Sequence, residues 1–586
     1  MRRLIGLTLL FALPALPASN AYIQHNLIAD TPGVADLTDP NLVNPWAIAT
    51  SATGPFWISD NGTGLATVYS TSATATIAIA SLKVTIPPGA ASGAGPGPVT
   101  GQLSNTTTVF LNGTTKASFL FCTADGTISA WNSGTLAVIK VDNSSKGAVY
   151  KGMALGGTST APQLYVANFH AGTVEVYDGN FAPVTTLAKG AFTDAQVPSG
   201  FAPFNIVNLN GALFVAYAKQ DTYGVGDVAG PGNGYVDIFD MSGNLTTRLI
   251  AGGVLNSPWG MAIAPANFGT FANMLLVGNF GNGRINAFDP VAGTSLGALQ
   301  DPTGAAIVIS GLWALQDGNG KSGGDANAVY FAAGPGNQLH GLLGSLQAAP
   351  VLRTSNPVVN GADFLSGGVA QYAWVTVFGS NMSSTTRSWQ AADIVNGKLP
   401  TQLDGVGVTV DGKPAYISFI SPTQVNALVA ADFTLGTVQV QTTNKTLTSG
   451  STTATMQATS PAFFISSGNY AAALHANNSI VAPTTVFASA TPAQPGETIE
   501  FYATGFGPGT TTIPDGQTIT TAIPVTGVTV TIGNANATVT FAGLVGPGLY
   551  QINATVPAST PNGDAALSAA IGGQTTQAGV LVSVHN

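Results

Sequence analysis

The feature that most constrains this chain is a unit that recurs six times before residue 350. A copy opens on a small apolar segment, usually Pro and then an aromatic. These are Pro45-Trp46-Ala47-Ile48, Pro203-Phe204-Asn205-Ile206, Pro258-Trp259-Gly260-Met261 and Leu312-Trp313-Ala314-Leu315, with Lys151-Gly152-Met153-Ala154 a weaker copy. A short apolar run follows, at residues 56–59, 119–122, 164–167, 213–216, 275–278 and 329–332. Then come a polar, Gly-bearing turn and an alternating run, as in Asn279-Phe280-Gly281-Asn282-Gly283 before Ile285-Asn286-Ala287-Phe288-Asp289. A continuous apolar run fits a strand covered on both faces, and an alternating one a half-exposed strand. Glycine supplies the positive φ of a tight hairpin. One such unit cannot bury its own faces, whereas six packed radially can. The pattern predicts an all-β chain whose residues 22–346 form a six-bladed β-propeller. The sixth blade is one strand short, and residues 22–28 are placed to supply it.

The remaining 240 or so residues have a different pattern. Residues 347–355 read as a linker. Beyond it, Trp374-Val375-Thr376-Val377-Phe378-Gly379 is echoed by residues 499–507, and Gly405-Val406-Gly407-Val408-Thr409-Val410 by residues 527–533. Two copies of about 100 residues with short alternating strands fit tandem immunoglobulin-like β-sandwiches, at residues 356–458 and 459–586.

Charge and leader narrow the function classes. Charged residues make up 7% of the chain and the net charge is −9, without the Lys/Arg clusters that phosphate binding needs, so a nucleic-acid partner is excluded. Arg2-Arg3, the apolar run to Leu16 and Ser19-Asn20-Ala21 describe a signal peptide over residues 1–21, which predicts a secreted, extracellular protein. No later apolar stretch reaches the length of a spanning helix, so no transmembrane segment is expected. Cys122 is the chain's one cysteine, in the apolar run Phe119-Leu120-Phe121-Cys122, and reads as a small buried hydrophobe.

Residues 26–346 resemble the NHL-like six-bladed propellers, and more closely an uncharacterised family of secreted bacterial propeller proteins. The strings that carry the likeness include Asp39-Pro40-Asn41-Leu42-Val43-Asn44-Pro45-Trp46, Ala167-Asn168-Phe169-His170-Ala171-Gly172-Thr173 and Gly278-Asn279-Phe280-Gly281-Asn282-Gly283-Arg284-Ile285-Asn286-Ala287-Phe288-Asp289-Pro290. Residues 356–584 resemble the C-terminal module of many acidobacterial secreted proteins, with its Gly-Val-x-Val and Pro-x-x-Val/Ile-Asn elements. The resemblance implies fold and export, with a presentation or attachment role for the tail, and no chemistry.

Catalytic signatures are scarce. The propeller holds His170 and His340, with His25 on the closing strand, too few for a multi-histidine metal centre. In a propeller blade the turn between the second and third strands shares a face with the start of the innermost strand. Asp60, Asn61, Asp125, Asn168, His170, Asp221, Asn279, Arg284 and His340 should therefore ring the mouth of the central channel. Carboxylates and carbonyls there could hold Ca²⁺ or a polar ligand. The plainer alternative is that each Asp or Asn caps its own turn. Asp317, Asn319 and Asp325 lie in a glycine-rich loop that lacks the spacing of a calcium hand, and residues 87–101 read as a low-complexity loop. Three readings stay open. The leading one is a monomeric extracellular scaffold that binds a protein or glycan on the propeller face, with the tail as stalk. A cation-dependent hydrolase or lactonase requires Asp60, Asp125 and Asp221 to converge. A carbohydrate binder requires a row of exposed aromatics.

Overall fold

The computed structural model describes residues 20–71, 77–365, 367–431, 433–511 and 515–585, so the expected leader falls almost wholly outside the described residues. The chain divides into two compact units, one spanning Asn20–Ala348 and the other Ala349–Asn586.

The first unit is a six-bladed propeller. The six apolar runs of the repeat each become the second strand of a blade: Phe56–Asp60, Phe119–Thr123, Pro162–Asn168, Ala212–Lys219, Leu275–Asn279 and Val329–Ala333. Innermost strands are Pro45–Ala49, Val99–Ser104, Tyr150–Gly157, Phe201–Leu209, Pro258–Ile263 and Leu312–Asp317, and each packs on the next around the ring until the sixth meets the first. Blade 3 has three strands, and residues 179–200 run where a fourth would lie. In blade 6 the fourth strand is Tyr22–Ala29, paired antiparallel with Leu342–Ala348 from Tyr22↔Ala348 to Ala29↔Leu342, and the two-residue strand Leu37–Thr38 pairs parallel outside it. The first strand of the described chain thus completes the last blade, as the missing strand in the repeat predicts. Separate apolar clusters fill the seams between blades, and side chains such as Phe121, Tyr165 and Val277 are fully buried in them. Each side chain so buried contributes about 1.5–3 kcal/mol.

One stretch corrects the sequence reading. Val99–Ser104 is the innermost strand of blade 2, although residues 99–101 fall in the stretch read as a low-complexity loop. Its small residues are needed there. A Cβ on Gly101 would lie 2.6 Å from the Cys122 Sγ and 3.3 Å from the Gly152 Cα of the next blade. A bulkier residue would wedge the two strands apart.

The ring has a second regularity. All six innermost strands carry a register shift near the same place, which holds Trp46, Thr100, Lys151, Phe204, Trp259 and Trp313. A β-bulge re-aims the extra residue and bends its strand. Here Trp46, Phe204, Trp259 and Trp313 enter one buried cluster, so the axis of the propeller is packed rather than open at this level.

The second unit holds two β-sandwich lobes. The first pairs the sheet around Trp374–Ser380 and Gln424–Leu428 with the sheet around Val406–Val410 and Gly436–Asn444, over a core of valines and isoleucines. In the second lobe, the 12-residue strand Ala535–Gly546 pairs with Thr529–Ile532 at one end and with Leu549–Thr555 at the other. That strand joins the two layers into one nearly closed sheet. The stretch read as a linker is structured too: Gln347 and Ala348 end the last propeller strand, and Val351–Leu352 pairs with Ser380 and Gly379.

The two lobes are locked together. Trp374 donates its backbone N–H to the Thr504 hydroxyl (2.9 Å) and its indole N–H to the Pro547 carbonyl (2.9 Å). The Asp515 carboxylate accepts from the Ala431 N–H at 3.1 Å, and Leu399 donates to the Gly516 carbonyl at 2.8 Å.

Candidate functional site

The predicted ring of turns does lie on one face. The turn after each second strand bonds to the start of the innermost strand of its own blade: Asn61 N–H to Asn44 O (3.1 Å), Phe169 N–H to Val149 O (2.8 Å) and Phe280 N–H to Ser257 O (3.0 Å). What the turns do there is mostly structural. Asp221 accepts the N–H groups of Tyr223, Val225 and Gly226 at 3.0 Å each, which holds its carboxyl below the usual range. Asp125 accepts from Gly89 N–H (2.8 Å) and from the Thr123 hydroxyl. Asn168 accepts from Val149 N–H and donates to Glu175, and Asn279 accepts from Asn256 N–H and donates to the Val254 carbonyl. Asn61 donates to the Val99 carbonyl and accepts from the Asn44 amide.

Asp60 is fully buried at the end of its strand. It takes the Thr67 hydroxyl at 2.7 Å, its other oxygen has no partner, and burial pushes its carboxyl well above the usual range. It belongs to the core rather than to the surface where a ligand could reach it. His340 is exposed and pairs with Asp30 at 2.9 Å, His170 meets the Tyr223 carbonyl at 3.2 Å, and Arg284 is exposed. Among the described residues no three His, Cys, Asp or Glu side chains gather as a metal site would require. The convergence of Asp60, Asp125 and Asp221 that the hydrolase reading requires is therefore absent from the described residues.

The glycine-rich loop of Asp317, Asn319 and Asp325 lies elsewhere, in the hairpin between the first two strands of blade 6. Asn319 accepts from Lys321 and Gly323 N–H and donates to the Ser51 and Gly54 carbonyls. Asp325 caps Asn327, and Asp317 takes the Gln316 amide at 2.7 Å. The loop ties blade 6 to blade 1 and presents no set of free oxygens for a cation.

Beneath the turns lies a group of residues that the repeat search passed over as core. Trp46 stacks on Trp313 with ring centroids 3.6 Å apart, and Phe280 stacks on the same Trp313 at 3.9 Å. Trp259 meets both tryptophans edge-on. The indole N–H groups of Trp313 and Trp259 bond to Asn44 Oδ1 and the Lys151 carbonyl, both at 3.1 Å, while that of Trp46 is buried without a partner. Lys151 is the single cation among the six bulge residues. Aligning the innermost strands would have exposed it, since Lys151 then stands in a column otherwise of Trp, Thr and Phe.

A long turn overhangs this side of the ring. Residues 220–234 of blade 4 reach from blade 3, where Gln220 donates to the Phe169 carbonyl (2.6 Å), to blade 5, where Gly230 donates to Asn256 (2.7 Å). The turn exposes Tyr223, Val225 and Val228, and Tyr223 is 79% exposed.

Fold and site together define a six-bladed propeller with an aromatic-packed axis and one face of capped polar turns. The chain belongs to a family that includes uncharacterised proteins of Acanthamoeba polyphaga mimivirus. One is 31% identical over 334 residues, covering 55% of this chain and 78% of the relative, and a second is 31% identical over 340 residues, covering 55% and 84%. These viral relatives correct the expectation of a bacterial family. No protein-family model matches the chain. Among solved structures, streptogramin B lyase (TM-score 0.32, 11% identity, 56% of this chain and 97% of that one) is similar in fold. So is the aldose sugar dehydrogenase of Escherichia coli (0.33, 10%, 56% and 100%). Likenesses of this size carry nothing about activity.

Proposed function

We propose that this protein is an exported, non-enzymatic binding protein that docks a protein partner on the turn face of its propeller, with the C-terminal lobes as stalk or attachment module. Export rests on the charged, apolar and small-residue pattern of the first 21 residues. Among the described residues no helix is long and apolar enough to cross a membrane. The observation that carries the binding reading is the 220–234 turn. It is anchored at both ends and sets three apolar side chains in solvent within six residues, while the polar groups around it are held in caps. Interfaces draw their energy from such aromatic anchors. A protein partner suits this surface better than a glycan. Among the described residues, Tyr223 is the one aromatic of the strongly exposed large hydrophobic side chains, and the aromatics of the strand starts are buried.

The test is affinity capture from the surface proteins of the source cells, followed by a measured Kd for the partner recovered. Tyr223→Ala should weaken binding about tenfold or more with the fold unchanged. Undiminished binding by a Tyr223→Ala, Val225→Asp double variant would overturn the reading.

A further inference from the structure

Lys151 is 6% exposed and sits on the bulge of the innermost strand of blade 3. Its ammonium lies 4.9 Å from the centroid of the Trp46 ring and 5.9 Å from that of Phe169. Asp227 and Asp221 act on it through space, without a hydrogen bond. Two further polar groups nearby are buried and unpartnered: the Trp46 indole N–H, and the Ser257 hydroxyl, which lies beside Asp227 short of hydrogen-bond geometry. The two aromatic faces attract the ammonium, but it has no bonded counter-ion, and burying it without one still costs stability.

Burial holds this amine down at about 8, against the pull of the two acids, and the same burial raises the Asp227 carboxyl. An amine in this range is a usable nucleophile near neutral pH, because a sizeable fraction is unprotonated. The surroundings favour an uncharged electrophile. Asp227 and Asp221 would repel an anion at this spot, whereas a carbonyl oxygen offers an acceptor where the Trp46 N–H lacks one.

We propose that Lys151 is a carbonyl-reactive amine, and that the turn side of the propeller axis takes a small neutral aldehyde or ketone and holds it as an imine. The unprotonated Nζ adds to the carbonyl carbon, and the C=O π pair moves to oxygen. That oxygen takes one proton from the nitrogen, giving a carbinolamine. A proton from solvent is taken up by the hydroxyl, which leaves as water as the nitrogen lone pair closes the C=N bond. A protonated imine remains. No oxidant, reductant or other co-reactant is needed, and hydrolysis reverses the step. The inference is independent of the docking reading, since it concerns Lys151 beneath the turn and not Tyr223 upon it.

The test is reductive trapping of the whole mature chain with limiting acetaldehyde and cyanoborohydride at pH 7.5, followed by peptide mapping. Lys151 should be ethylated first among the chain's 11 lysines, at least tenfold faster than the median lysine. That preference should vanish in urea. Lys151→Met and Lys151→Arg should each lose the fast product while the other lysines react as before. A wild-type map in which Lys151 stays unmodified, or reacts no faster than the surface lysines, overturns the proposal, and this measurement does not depend on either variant folding.

Discussion

Asp237 shows how one residue can tie stability to pH. Its carboxyl is fully buried at the seam of blades 3 and 4, and neither oxygen has a hydrogen-bond partner. The nearby Arg248 is engaged by Asp194 and by Gln196 at 2.6 Å. Burial, with the Asp194 charge adding to it, pushes Asp237 up to about 7. A folded-state value above the unfolded one means that the folded protein holds the extra proton. The stabilisation is complete below about pH 4 and is lost as pH rises through about 7. Asp237→Asn, which cannot ionise, should therefore gain on the wild type by up to about 4 kcal/mol between pH 4 and pH 8. Urea titrations at the two pH values check this, and a difference that does not change with pH would refute it. The candidate residues show what a sequence can and cannot resolve at this scale. Asp60, Asp125 and Asp221 have the same identity and the same kind of turn setting, yet one is a buried acid, one a hinge to a neighbouring loop and one a cap. Chain-local pattern marks the turn but not which way the carboxyl faces. Lys151 was legible only as a break in a column, because its role comes from Trp46 and Phe169 on other strands.

At the level of elements, the closing strand is the feature most exposed to a decisive measurement. Ile28 is fully buried in the central cluster, and Tyr22 donates its hydroxyl to the Phe268 carbonyl at 3.1 Å. Ile28→Ala should cost about 2–5 kcal/mol, as much as the same change in the middle of a blade. Equilibrium denaturation of the mature protein measures it, and a cost below 1 kcal/mol would mean the strand is a loose appendage. The six second strands were readable because apolar runs of four residues recur at fixed places in the repeat, and this strand because the sixth blade lacks one. The innermost strand of blade 2 was not, since Val99-Thr100-Gly101-Gln102 carries small residues that its crowded position demands and that resemble a loop when read alone.

On the scale of the molecule, the twofold echo in the tail announced two lobes but not their union. Trp374, Leu399, Ala431 and Asn360 on one lobe bond to Pro547, Gly516, Asp515 and Ser460 on the other, single residues with no periodic signal. Limited proteolysis of the whole protein should accordingly yield no stable fragment beginning near residue 459, and Trp374→Ala should produce one. Release of that fragment from the wild type would show that the lobes are independent. The closing strand also has a meaning in time. It is the first part of the described chain to be synthesised, and its partner, Leu342–Ala348, is the last strand of the ring to be made. A row of buried positions must wait unpaired while five blades are built between the two. Closure of so long a loop is slow to find and favours late, all-or-none assembly. If the leader is removed after Ala21, the new amino terminus falls on Tyr22, whose backbone nitrogen bonds to the Gln300 carbonyl at 2.8 Å. Maturation would then free the very strand that the finished ring is waiting for.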